Sequence, residues 1–96
     1  MEHEFEYDPR TDFKSWEPAA RYVVKHHQAV DFHVSGQFSD APSECKGKCV
    51  TLDAFTASML CQVIDALTNE NRIKFTSLNL LRAVDIGWSV TKKAST

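Results

Sequence analysis

The sequence is poor in glycine, with three in 96 residues. That scarcity disfavours a glycine-rich loop of the kind that cradles phosphate. Cysteine is also scarce: Cys45, Cys49 and Cys61 make an odd count that fits poorly with a disulfide scaffold. Charge of one sign is lacking overall, since the formal net charge is -2, so no nucleic-acid signature appears in bulk. No apolar run approaches the roughly 20 residues that span a bilayer. The opening "MEHEFEYD" is acidic and lacks an apolar core, unlike a secretory signal. Together these features lead us to expect a cytoplasmic protein with no membrane partner. No serine-hydrolase elbow, HExxH, Walker-type or dinucleotide-binding motif occurs.

What is present belongs to an ordinary globular chain, 43% hydrophobic and 25% charged. The charge is unevenly placed. Residues 1–20 hold six carboxylates against two bases, and residues 71–96 hold five bases against one carboxylate. Such polarity can act within the fold or present two faces to partners.

Hydrophobic periodicity supplies the elements. "HEFEYD" alternates, with His3, Phe5 and Tyr7 on one side and Glu2, Glu4, Glu6 and Asp8 on the other, as in a half-buried strand ended by Pro9. "SWEPAARYVVKHH" predicts a helix capped by Ser15, with Pro18 tolerated in its first turn. Val30, Phe32, Val34 and Phe38 alternate with polar residues, predicting a strand over 29–38 in which Gly36 marks a bulge or close packing. A loop follows at residues 39–48. "TLDAFTASMLCQVIDALTNEN" predicts the strongest helix, capped by Thr51, carrying the stripe Leu52, Phe55, Met59, Val63, Leu67, and stopped by "TNEN". "RIKF" alternates and predicts a short third strand or a loop. Leu80, Leu81, Val84 and Trp88 predict a last helix after a Thr76 or Ser77 cap, and 91–96 a frayed polar tail. The expected fold is α+β: one domain over 1–96 with two or three short antiparallel strands and three helices on one face. A mostly helical domain is the alternative.

Three constellations could carry chemistry. Cys45 and Cys49 flank a Lys-Gly-Lys turn, and His33 lies upstream. Zinc needs about four such ligands, and a single C-x3-C without a second pair is a weak metal signal. The reading favoured here is a loop with two free thiols; a zinc site on His33, Cys45 and Cys49, a Cys45–Cys49 disulfide, or a small Cys/His enzyme with His33 as base for Cys45 are alternatives. Arg72, Lys74, Arg82, Lys92 and Lys93 with Trp88 could form a modest basic surface for nucleic acid, which the acidic opening would oppose. Glu2, Glu4, Glu6 and Asp8 could dock a basic groove or protect a sheet edge.

With no reaction site or cofactor motif legible, elimination leads us to expect a non-enzymatic protein that binds and modulates another macromolecule, most readily a protein. Small chains of this kind are often accessory or inhibitory factors of bacteria or phages. The expected partner-binding residues are Glu2, Glu4, Glu6, Asp8, Trp88, Lys92 and Lys93.

Overall fold

The computed structural model describes residues 12–41 and 48–94. Chain order is α1 (Glu17–His26), β1 (Val30–His33), β2 (Phe38–Ser39), β3 (Cys49–Leu52), α2 (Ala54–Ala66), α3 (Asn69–Thr76) and α4 (Leu80–Ala94). The fold is α+β as expected, with four helices among the described residues rather than three. The acidic strand expected over residues 2–8 lies outside the described residues.

Helix α1 starts with Pro18 in its first turn, where a missing N–H costs nothing, and Glu17 faces the positive end of the dipole. Ser15 does not cap it. The N-cap position is Trp16, which makes no side-chain capping bond, and Ser15 instead takes a positive φ of 62°. Lys25 and His26 lie in the last turn, and His27 closes the helix in the left-handed conformation at φ 53°. Ala19, Ala20 and Val23 form the buried stripe.

The strand expected over 29–38 is a hairpin. Gly36 donates to the His33 carbonyl at 2.9 Å and His33 donates to the Gln37 carbonyl at 2.6 Å, so the chain turns back within Val34–Gln37. Gly36 has φ 91°, and a Cβ there would lie 3.2 Å from the Lys14 carbonyl oxygen. Both facts favour glycine, and neither is a bulge inside a continuous strand. The sheet order is β2-β1-β3, antiparallel throughout. Strand β3 went unrecognised because its Thr51 resembles a helix cap; Asp53 is the true cap, its carboxylate accepting from the Thr56 N–H at 2.7 Å.

Helix α2 buries Ala57, Met59, Leu60, Cys61, Val63 and Ile64, more than one face, because α1 packs on one side of it and α4 on another. Helix α3 overturns the strand or loop expected at "RIKF". Thr68 caps it by accepting from the Asn71 N–H at 3.3 Å, so the "TNEN" that was expected to end α2 also begins the next helix. Arg72 then reaches back, its Nε donating to the Ile64 carbonyl at 3.2 Å near the end of α2. Helix α4 is capped by Asn79, whose side chain accepts from the Arg82 N–H at 2.8 Å. Thr76 and Ser77 bond instead to carbonyls of α3. Since α4 runs to Ala94, the polar tail expected at 91–96 is helical over 91–94.

One core joins these elements. Trp16, Phe32, Leu52, Leu60, Ile64 and Leu80 are its largest fully buried side chains. Trp16 meets Phe75 edge-on at 5.6 Å, and its indole N–H donates to the Leu78 carbonyl at 2.8 Å. Phe55 is not in this core; it is 75% exposed. Leu60→Ala is therefore expected to cost about 2–5 kcal/mol, whereas Phe55→Ala should cost under about 1 kcal/mol. Urea denaturation of both variants checks this, and equal costs would contradict the placement of the core.

Candidate interaction surface

The residues expected to bind a metal or act as nucleophile come only partly together. His33 and Cys49 are cross-strand partners on β1 and β3. Val34 donates to the Lys48 carbonyl at 3.1 Å, which makes His33 and Cys49 a non-hydrogen-bonded pair, the kind whose side chains stand closest. Cys49 is disulfide-bonded, however, so the expectation of two free thiols fails there. A sulfur in a disulfide is neither a thiolate ligand nor a nucleophile. The His33 ring already engages Ser35: its Nδ1 accepts the Ser35 N–H at 3.2 Å and lies 3.0 Å from the Ser35 hydroxyl. Among the described residues no cluster of three or more His, Cys, Asp or Glu is placed to hold a metal ion. Cys45 lies outside the described residues.

Cys61 is a free thiol on the buried side of α2. Burial pushes its pKa up, against the opposing pull of Arg21, so it stays protonated and weakly nucleophilic. Arg21 is committed to Asp65: the two guanidinium nitrogens donate to the two carboxylate oxygens at 2.9 and 3.4 Å, joining α1 to α2. Those bonds hold the Asp65 carboxyl below its usual pKa, and the same pairing raises Arg21.

On the far side of α1, the Tyr22 hydroxyl donates to Asp40 at 3.2 Å, and its ring meets His26 at 4.3 Å and Phe38 at 5.3 Å. Burial is the main cause of the raised Tyr22 pKa, with Asp40 adding to it. The His26 and Phe38 rings both pack on Tyr22, whose hydroxyl is bonded to Asp40, so the three read as a packed corner between helix and hairpin.

The remaining feature is an aromatic edge between α2 and α4. Gly87 sits where the two helices meet, and a Cβ there would stand 2.4 Å from the Met59 sulfur. The close approach sets Phe55 beside Trp88, with ring centroids 5.7 Å apart and planes at 78°. This is a favourable edge-to-face pair, yet Trp88 is 38% exposed and Phe55 more so. Leu81, two turns before Trp88 on the same flank, is also 38% exposed.

Of the expected partner-binding residues, Trp88 and Lys92 lie on exposed α4 positions of this flank and Lys93 belongs to the same helix. Glu2, Glu4, Glu6 and Asp8 lie outside the described residues. Sequence reasoning missed Phe55, because its spacing to Met59 put it on an apolar stripe. The signal that could have found it is the second stripe through Leu60, Cys61 and Ile64, which rotates the buried arc away from Phe55.

Among the described residues, no helix is long and apolar enough to cross a membrane. Compared with protein-family models, with curated proteins and with solved structures, the chain matches none.

The burial of Cys61 gives a direct chemical readout. Native protein treated with iodoacetamide without reductant should leave Cys61 unmodified, and denaturant should expose it to rapid alkylation. Peptide mass spectrometry reads both states. Equal labelling before and after denaturation would contradict its placement between α2 and Arg21.

Proposed function

We propose that this is a non-enzymatic protein that binds and modulates another macromolecule, with a protein as its partner. The observation that carries the reading is the exposed Phe55–Trp88 pair. Aromatic side chains held in fixed orientation on helices offer large contact area at little entropic cost, and Trp is among the residues that most often dominate binding energy. An accessory or inhibitory role suits a chain whose most distinctive feature is a docking surface.

Specific observations weigh against the other readings. Zinc on His33, Cys45 and Cys49 would require Cys49 to be a thiolate, and it is disulfide-bonded. The same fact removes Cys49 from a Cys/His enzyme, and Cys61 is buried and held protonated, while Cys45, the nucleophile expected to pair with His33, lies outside the described residues. For nucleic acid, Arg72 is engaged at the end of α2 and Lys74 pairs with Glu70 at 3.6 Å, which leaves a thin basic surface. The acidic row Glu2, Glu4, Glu6, Asp8 belongs to the proposal as a source of salt-dependent steering toward a basic partner. A cytoplasmic location also belongs to it, and the disulfide at Cys49 stands against that part, because reducing compartments rarely keep such bonds.

The test places a photo-cross-linking residue at position 55, with position 25 on α1 as control, in cells of the source organism. An adduct with a distinct protein from position 55 alone is expected. With that protein purified, Phe55→Ala or Trp88→Ala should weaken binding by about tenfold or more while the fold persists. Equal adducts from both positions, or unchanged affinity in both variants, would overturn the reading.

A further inference from the structure

Cys49 is disulfide-bonded, Cys61 is a free buried thiol, and the sequence holds one further cysteine, Cys45. Within one chain that count leaves a single pairing, Cys45 with Cys49. The bond then closes a ring of five residues, from Cys45 through Lys46, Gly47 and Lys48 to Cys49. So short a ring constrains the unfolded chain little, because the stabilisation from a cross-link grows with the length of chain it encloses.

The described sheet does not depend on this bond. Cys49 opens β3, and β3 is held to β1 over its whole length, from Val30 opposite Leu52 to His33 opposite Cys49. Val34 adds a bond to the Lys48 carbonyl at 3.1 Å, the Thr51 hydroxyl donates to Asp31 at 2.8 Å, and Leu52 is fully buried. None of these contacts uses the Cys49 sulfur. Cys49 is only partly buried, whereas Cys61 lies in the core. A disulfide at a partly open position, on a strand that stands without it, belongs with the bonds that exchange with thiols rather than with those that resist reduction.

We infer that the disulfide at Cys49 is a reversible redox element, opened and closed by a small thiol of the glutathione class while the fold persists. The chemistry balances in two exchanges. A glutathione thiolate attacks one sulfur of the bond; the S–S bond breaks, a mixed disulfide forms, and the other protein sulfur leaves as a thiolate that takes a proton from water. A second glutathione thiolate attacks the glutathione sulfur of the mixed disulfide, which releases oxidised glutathione and the second protein thiol. Two electrons pass from two glutathiones to the protein pair, and excess oxidised glutathione runs both steps in reverse. In the reduced state Cys49 is a thiol directly across from His33, in the cross-strand pairing whose side chains stand closest, and it is open to capture as a mixed disulfide. In a reducing compartment the chain would stand as a dithiol with its core intact, which answers the objection that the bond raises against a cytoplasmic location.

The test equilibrates the full chain in glutathione buffers running from mostly oxidised to mostly reduced. Samples are quenched with iodoacetamide and read by peptide mass spectrometry, with circular dichroism on the same samples. Cys45 and Cys49 should pass from unlabelled to labelled together through one midpoint and return on transfer to oxidised glutathione. Cys61 should stay unlabelled throughout, and the circular dichroism should not change. Cys49→Ser should fold as wild type does, with its Cys45 carrying one glutathione in the oxidised buffers. A bond that stays closed in mostly reduced glutathione and opens only in urea overturns the inference. So does loss of helical signal or labelling of Cys61 on reduction, or a Cys49→Ser variant that does not fold, since the fold would then need the bond. A covalent dimer on non-reducing electrophoresis would put the other sulfur in a second copy and overturn it as well.

Discussion

Everything in this fold hangs on how the segment Phe13–Trp16 is held. Its indole N–H reaches the Leu78 carbonyl, the Phe13 N–H reaches the Val34 carbonyl at 3.2 Å, and the Phe13 carbonyl accepts from the Leu80 N–H at 2.7 Å. Three bonds tie four residues to the β1–β2 hairpin on one side and the start of α4 on the other. The segment accepts strain to do so. Phe13 at φ 60° and Ser15 at φ 62° occupy the left-handed region, which costs roughly 1–2 kcal/mol for a residue with a Cβ. Such conformations persist only where the surroundings over-determine them. Here the surroundings are the Phe13–Phe32 contact at 6.3 Å, the burial of Trp16 against Phe75, and the Lys14 carbonyl lodged over Gly36.

From that anchor the candidate surface follows. Fixing Leu78 and Leu80 fixes the start of α4, and Asn79, itself buried, caps the helix there. Helix α4 then packs on α2 with Gly87 against Met59 and Leu60, and Phe55 and Trp88 meet at the exposed edge of that contact. On the opposite flank of α2, Arg21 and Asp65 fix α1. Helix α2 is consequently clamped from both sides, and its one large exposed aromatic side chain stands on a rigid support. Rigid presentation is what separates a binding residue from a merely exposed one, because little entropy remains to be lost on docking.

Much of the fold was legible in the sequence, and the failures share a cause. Alternation at Val30, Phe32 and Val34 identified a strand, and long helical patterns identified α1, α2 and α4. Gly36 was ambiguous because glycine serves bulges and turns alike, and only its φ and its approach to Lys14 decide between them. "RIKF" is too short for its alternation to outweigh a Thr68 cap, so a helix formed with Ile73 66% exposed and Phe75 buried. Thr51 could cap a helix or pair in a sheet; its hydroxyl donates to the buried Asp31 carboxylate at 2.8 Å, and that need for a partner goes with the strand. For the candidate surface, Trp88 and Lys92 were legible from aromatic and basic character near the end of the chain. Phe55 was not, because the rotation of a helix about its axis is set by its neighbours. The oxidation state of Cys49 was not legible either, since C-x3-C spacing suits thiol, disulfide and metal alike.

If the Phe13–Trp16 segment anchors the fold, its hydrogen bonds must break only when the whole molecule unfolds. Native-state hydrogen exchange measures this residue by residue. The Leu80 and Phe13 amides and the Trp16 indole N–H should all exchange with the free energy and denaturant dependence of global unfolding, matching the central α2 amides at Leu60 and Ile64. Exchange of Phe13, Leu80 and the Trp16 indole through a lower-energy local opening, with α2 still protected, would show that α2 and its neighbours hold together without the anchor and would contradict the account.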